Sequence, residues 1–177
     1  MIMVISIVIG ILLLGGFVAS IIIFGGICNK SVIYYNSESD SDDFRDGVAW
    51  WVIPDMTRPA DEHFGELHIS KHLREALFSL GIIYSFHKLP HKLILGDYEE
   101  EILIESGVVV DAVEILRDKS SSLTQSTYDW LCYEQIKPER IEYRIKVDAV
   151  ALKQELIMLA DFLSEAASNN YAVQLWL

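Results

Sequence analysis

The stretch from residue 141 to residue 177, IEYRIKVDAVALKQELIMLADFLSEAASNNYAVQLWL, decides the fold class. Its first eight residues set Ile141, Tyr143, Ile145 and Val147 against Glu142, Arg144, Lys146 and Asp148. That is the period of two of a strand with one buried face. From residue 150 to 168 the spacing becomes helical. Leu152, Leu156, Leu159, Ala160 and Leu163 share a face that Met158 and Phe162 widen, while Lys153, Gln154, Asp161 and Ser164 make the polar side. Asn169 and Asn170 supply a turn, and residues 171–177 read as a closing strand. The order strand, helix, strand suggests a βαβ unit, right-handed if the two strands are parallel. The expected class is α+β, or mixed α/β, with this C-terminal strand–helix–strand unit.

Outward from there the signals are shorter. Residues 48–53, VAWWVI, form an aromatic and β-branched run stopped by Pro54, the pattern of a buried strand. In such a strand Trp50 and Trp51 point to opposite faces, so at most one lines a ligand groove. Core packing is the expectation for both, given the area that indoles bury. Ser70 is placed to N-cap a helix through about Leu80, with Leu73, Ala76, Leu77 and Leu80 on one face and Gly81 ending it. Residues 82–105 read as strand and turn. Val109, Ala112, Val113 and Leu116 favour a helix over 108–117, and residues 126–135 read as a further short helix closed by Pro138. No internal repeat is present.

Residues 2–28, IMVISIVIGILLLGGFVASIIIFGGIC, carry no charge. As a helix they would span about 40 Å against a hydrocarbon core of about 30 Å. No Lys or Arg precedes the run and its length exceeds a signal-peptide core, while Ile27 stands where a lipoprotein signal wants a small residue before Cys28. The expectation is one N-terminal transmembrane helix that holds the chain in the lipid bilayer. Gly15, Gly16, Ala19 and Ser20 offer a small-residue stripe for a homodimer. Lys30 and Arg45 on the C-terminal flank of the run favour a cytoplasmic side for the rest of the chain. Residues 29–46, with the acidic run NSESDSDDFRD at 36–46, read as a linker, and 47–177 as one globular domain.

The chain has 26 acidic residues against 14 basic ones, a formal net charge of −12. Phosphate neutralisation needs clustered Lys and Arg, so nucleic acid is excluded as the expected partner. An acidic surface instead suits a basic protein partner. Two cysteines make no disulfide framework.

All five histidines fall between residues 63 and 91. His68 and His72 are four apart, the spacing that lets two imidazoles on a helix share one metal, and Glu75 and His63 extend the candidate set. Zinc is the cofactor this set would take. Ile69 replaces the glutamate of H-E-x-x-H, so the general base of that motif is missing. No nucleophile elbow, dinucleotide fingerprint, phosphate loop or C-x-x-C is present. The leading expectation is a non-enzymatic, membrane-anchored interaction protein with an acidic domain that binds a basic protein partner, analogous in composition alone to immunity-type proteins. The second is a membrane-tethered metal-binding module or metal-dependent hydrolase built on the histidine segment.

Overall fold

The computed structural model describes residues 31–35, 47–52, 64–93, 101–136 and 140–177. They form an α+β fold with two sheets and four α-helices. The elements in chain order are β1 (Ser31–Tyr35), β2 (Gly47–Val52), β3 (Phe64–Ile69), α1 (Lys71–Ser79), α2 (Ile82–Phe86), β4 (His91–Leu93) and β5 (Glu101–Ile104). A single 3-10 turn (Ser106–Val108) leads into α3 (Val109–Ser122), followed by β6 (Thr127–Gln135), β7 (Ile141–Asp148), α4 (Ala149–Ser168) and β8 (Ala172–Trp176). The chain divides into two compact units, residues 1–33 with 133–143, and residues 34–132 with 144–177.

The larger unit is organised by a five-stranded sheet of order β3-β2-β8-β5-β4, antiparallel at every pairing. The C-terminal strand β8 lies at its centre and is buried on both faces from Ala172 to Leu175. One face presents Ala49, Ile69, Ile102, Ile104, Val173 and Leu175 to the main core, where they meet the apolar sides of all four helices. Each helix follows its local chemistry. Ser70 accepts a hydrogen bond from the Leu73 amide at 3.0 Å and caps α1, which satisfies one of the amides a helix start leaves unpaired. At the other end Gly81 takes φ +69, the left-handed turn that closes α1. Asp148 caps α4 by accepting from the Val150 and Ala151 amides.

The structure corrects the sequence reading in several places, residues 82–86 among them, which form helix α2 where strand and turn were expected. The membrane-anchored class is replaced by the α+β fold described here, because among the described residues no helix is long and apolar enough to cross a membrane. The longest, α4, has 20 residues but carries Lys153, Glu155, Asp161 and Glu165, and buries only one stripe. The expected span 2–28, with its bilayer contact, its small-residue dimer stripe and the cytoplasmic side drawn from its flanks, lies outside the described residues. So do residues 29–30 and 36–46 of the expected linker, of which residues 31–35 are β1.

The second correction concerns the C-terminal unit. The strands β7 and β8 flank α4 as the sequence suggests, but they belong to different sheets. β7 is the middle strand of a three-stranded sheet of order β1-β7-β6. Thirdly, residues 127–135 are strand β6, where a helix was expected. Tyr128, Trp130 and Cys132 are half-buried while Asp129, Leu131 and Tyr133 are exposed, the alternation of a strand.

Within the larger unit Asp129 on β6 holds the small sheet across its width. It accepts from Arg144 Nε of β7 at 2.6 Å and from the Tyr34 hydroxyl of β1 at 3.0 Å. The Arg144 hydrogen bond holds the Asp129 carboxyl below the usual carboxylate range, opposed by burial and then assisted by the Tyr34 hydroxyl. A carboxylate with a lowered folded pKa adds stability above its unfolded pKa, and that stability is lost as pH falls through the folded value. Asp129→Asn should therefore cost up to about 1 kcal/mol at about pH 6, the scale of a partly exposed pair. The deficit should shrink as the pH falls below the ordinary value of 3.8; urea unfolding at both ends of that range measures it.

A second constraint lies at the edge of the large sheet. Gly65 has φ +68, and a Cβ there would stand 2.6 Å from Cε3 of Trp51. Gly81 has φ +69 with nothing within 4 Å. Gly81→Ala should cost about 1–2 kcal/mol through backbone strain alone. Gly65→Ala adds an overpacking cost of about 1–3 kcal/mol, so its urea midpoint should fall clearly below that of Gly81→Ala.

Candidate functional site: a sheet face of tryptophan and glutamate

A strand alternates its side chains, so the face opposite the helices is set once the core face is known. On β2, Ala49 and Trp51 turn to the helices, leaving Val48, Trp50 and Val52 on the other face. Cross-strand register carries that face over the sheet. Val48 lies opposite His68 of β3 and Trp176 of β8, and Trp176 in turn lies opposite Glu101 of β5. One step along, Trp50 lies opposite Glu66 and Gln174, and Gln174 opposite Leu103. Lys92 of β4 is in register with Leu103 at the far edge. All four described helices contribute their buried residues to the core on the opposite face.

The result is two diagonal tryptophans, each partly exposed, with a carboxylate beside each. Glu66 accepts from Trp50 Nε1 at 3.3 Å. Between the indoles Gln174 is only 3% exposed. Aromatic faces and carboxylates together make a surface suited to a cation. The sequence pointed to Trp50 and Trp51 but favoured the core for both; only Trp51 packs against it. The adjacency of Trp176 and Glu101 to Trp50 had no local signal, since strand register alone creates it.

The metal candidates are distributed differently. His68 is exposed on β3, whereas His72 is half-buried in the first turn of α1. The N-cap at Ser70 separates strand from helix, so the four-residue spacing does not place the two imidazoles on one helical face. Glu75 lies one turn beyond His72, where it accepts from Ser79 Oγ at 3.2 Å and neighbours the Cys132 thiol. His63 lies outside the described residues. Among the described residues no group of three or more His, Cys, Asp and Glu could hold a metal ion.

No protein-family model matches the chain, and neither the curated proteins nor the solved structures contain a match to it.

The contact between Cys132 and Glu75 has its own consequence. Burial, then the neighbouring Glu75 carboxylate, push the Cys132 thiol up to about 12. The thiolate is the nucleophile, so this cysteine is inert at ordinary pH. Iodoacetamide at about pH 8 should leave Cys132 unmodified in the folded chain and label it after denaturation, as read by peptide mass mapping.

Proposed function

We propose that this protein is a non-enzymatic interaction protein whose acidic domain binds a basic protein partner through the face bearing Trp50, Trp176, Glu66 and Glu101. The observation that carries this reading is the pairing of each partly exposed indole with a carboxylate, on a sheet face that none of the described helices occupies. Net charge alone would attract a basic partner without orienting it. Aromatic side chains at the centre of an interface supply the binding energy, and charges at the rim steer approach and set register. Glu66 and Glu101 stand on opposite sides of the tryptophan pair, so cationic groups of a partner would meet a carboxylate from either direction.

The test uses the full chain and a short polybasic peptide, with calorimetry at low and high salt. Affinity should fall with salt as exposed charges are screened. Glu66→Gln with Glu101→Gln should weaken binding by up to about fivefold per carboxylate, the scale of an exposed ion pair. Asp111→Asn with Glu114→Gln, on the exposed side of α3, removes the same charge elsewhere and should leave affinity nearly unchanged. Equal losses from the two double variants would reduce the effect to net charge and sink the assignment to this face.

A further inference from the structure

We infer that β6 is a self-association edge, along which a second copy of this chain adds its own β6 antiparallel about a two-fold axis. The inference is independent of the basic-partner reading, which concerns the face of the large sheet. A strand at the end of a sheet leaves its outward amides and carbonyls open to another chain. The large sheet blunts both of its ends. β3 carries the bulge at Gly65, and β4 has only three residues, Lys92 among them, directly after Pro90. β6 is an end strand of the small sheet, and among the described residues no strand pairs with its outer side. Its nine residues, TYDWLCYEQ, include no Lys, Pro or Gly, and they offer about 30 Å of edge.

The charges of the strip select a second copy as the occupant. Within the larger unit Tyr128, Trp130 and Cys132 pack against the core, so Asp129 and Leu131 lie on the outward face, where both are exposed. Ile145 and Val147 of β7 enter the same core, which leaves Arg144 and Lys146 on that outward face. Asp129 is already held by Arg144 at 2.6 Å, and Lys146 adds to the positive field around it. Two copies with a net charge of −12 each repel over most of their surface; on this strip the basic groups outnumber the acid. An isologous pairing presents the same patch from both sides. A two-fold axis normal to the sheet keeps inward side chains inward, so it passes through one residue of β6. Asp129 on the axis would set two carboxylates opposite each other, which destabilises a strand pair. Leu131, 46% exposed, sets two apolar side chains opposite each other instead and takes both out of water.

The test follows the full chain by sedimentation velocity over about a hundredfold in concentration spanning the micromolar range, with amide hydrogen exchange read at both ends. Sedimentation should shift from monomer to dimer, and the outward amides of residues 127–132 should exchange about tenfold more slowly in the dimer. Leu131→Lys sets two like charges opposite each other and should weaken the dimer about tenfold. Ile157→Lys, at an exposed position of α4, should leave it unchanged. Leu131→Thr, which removes apolar area without adding charge, replaces Leu131→Lys should that variant fail the circular-dichroism check for folding. A chain that stays monomeric throughout overturns the inference, and so does equal weakening by the variants at residues 131 and 157. Where another segment also associates, faster exchange of residues 127–132 in the residue-131 variant than in the parent at equal concentration supports the edge, and equal exchange overturns it.

Discussion

The indole of Trp51 occupies the space that a side chain at residue 65 would need, and much of the larger unit is arranged around that contact. Its ring stacks on Phe162 at 5.0 Å and on Tyr171 at 6.0 Å between centroids. Its Nε1 donates to the Phe162 carbonyl at 3.2 Å, so the one polar atom of the indole is satisfied. Four segments therefore meet at a single side chain: the edge strand at Gly65, β2 itself, the C-terminal half of α4 and the residue that opens β8. Because neighbouring residues on a strand face opposite ways, fixing Trp51 against α4 also fixes Trp50 on the other surface. The candidate site is in this sense a by-product of core packing.

How much of this the sequence disclosed depended on the range of the interaction. The β7, α4 and β8 segments were legible because periodicity is a local property, written into Ile145, Val147, Leu152 and Leu156 regardless of what they touch. Sheet membership was hidden, since a period of two declares a buried face without naming its neighbours. The same limit explains Glu142, which occupies a polar position of the alternation and is nevertheless 6% exposed, while Ile141 and Tyr143 are only half-buried. Those three residues fall in the smaller unit, and the expected pattern resumes at Ile145 in the larger one. Residues 127–135 were read as a short helix closed by Pro138, whereas Tyr128, Trp130 and Cys132 alternate as a strand beside β7, a pairing that no local pattern declares. The histidine set misled for a converse reason. It was conspicuous in one dimension, and a capping serine between His68 and His72 dissolved it in three.

Charge needs the same spatial reading. A net charge of −12 describes solubility and steering, and most exposed carboxylates of the described residues sit singly on helices or at caps. Asp148 is committed to the start of α4, Asp161 pairs with Arg117 at 3.4 Å between two exposed side chains, and Asp129 is held by Arg144 and Tyr34. Surface pairs of this kind contribute little to stability. Glu66 and Glu101 differ because each stands next to an indole, where an arriving cation would exchange water for an aromatic face as well as a carboxylate.

The bulge at Gly65 ties the sheet edge to the tryptophan face. Register shifts between Trp50 and Trp51 as β3 passes β2, and the positive φ of Gly65 supplies the extra residue that the shift requires. A bulge on an edge strand interrupts the regular ladder that another chain would need in order to add as a further strand. It also sets Glu66 opposite Trp50 while Phe64 is opposite Trp51, so the carboxylate reaches the Trp50 indole while Trp51 keeps its place against α4. On that face the bulge has placed the acid beside the tryptophan.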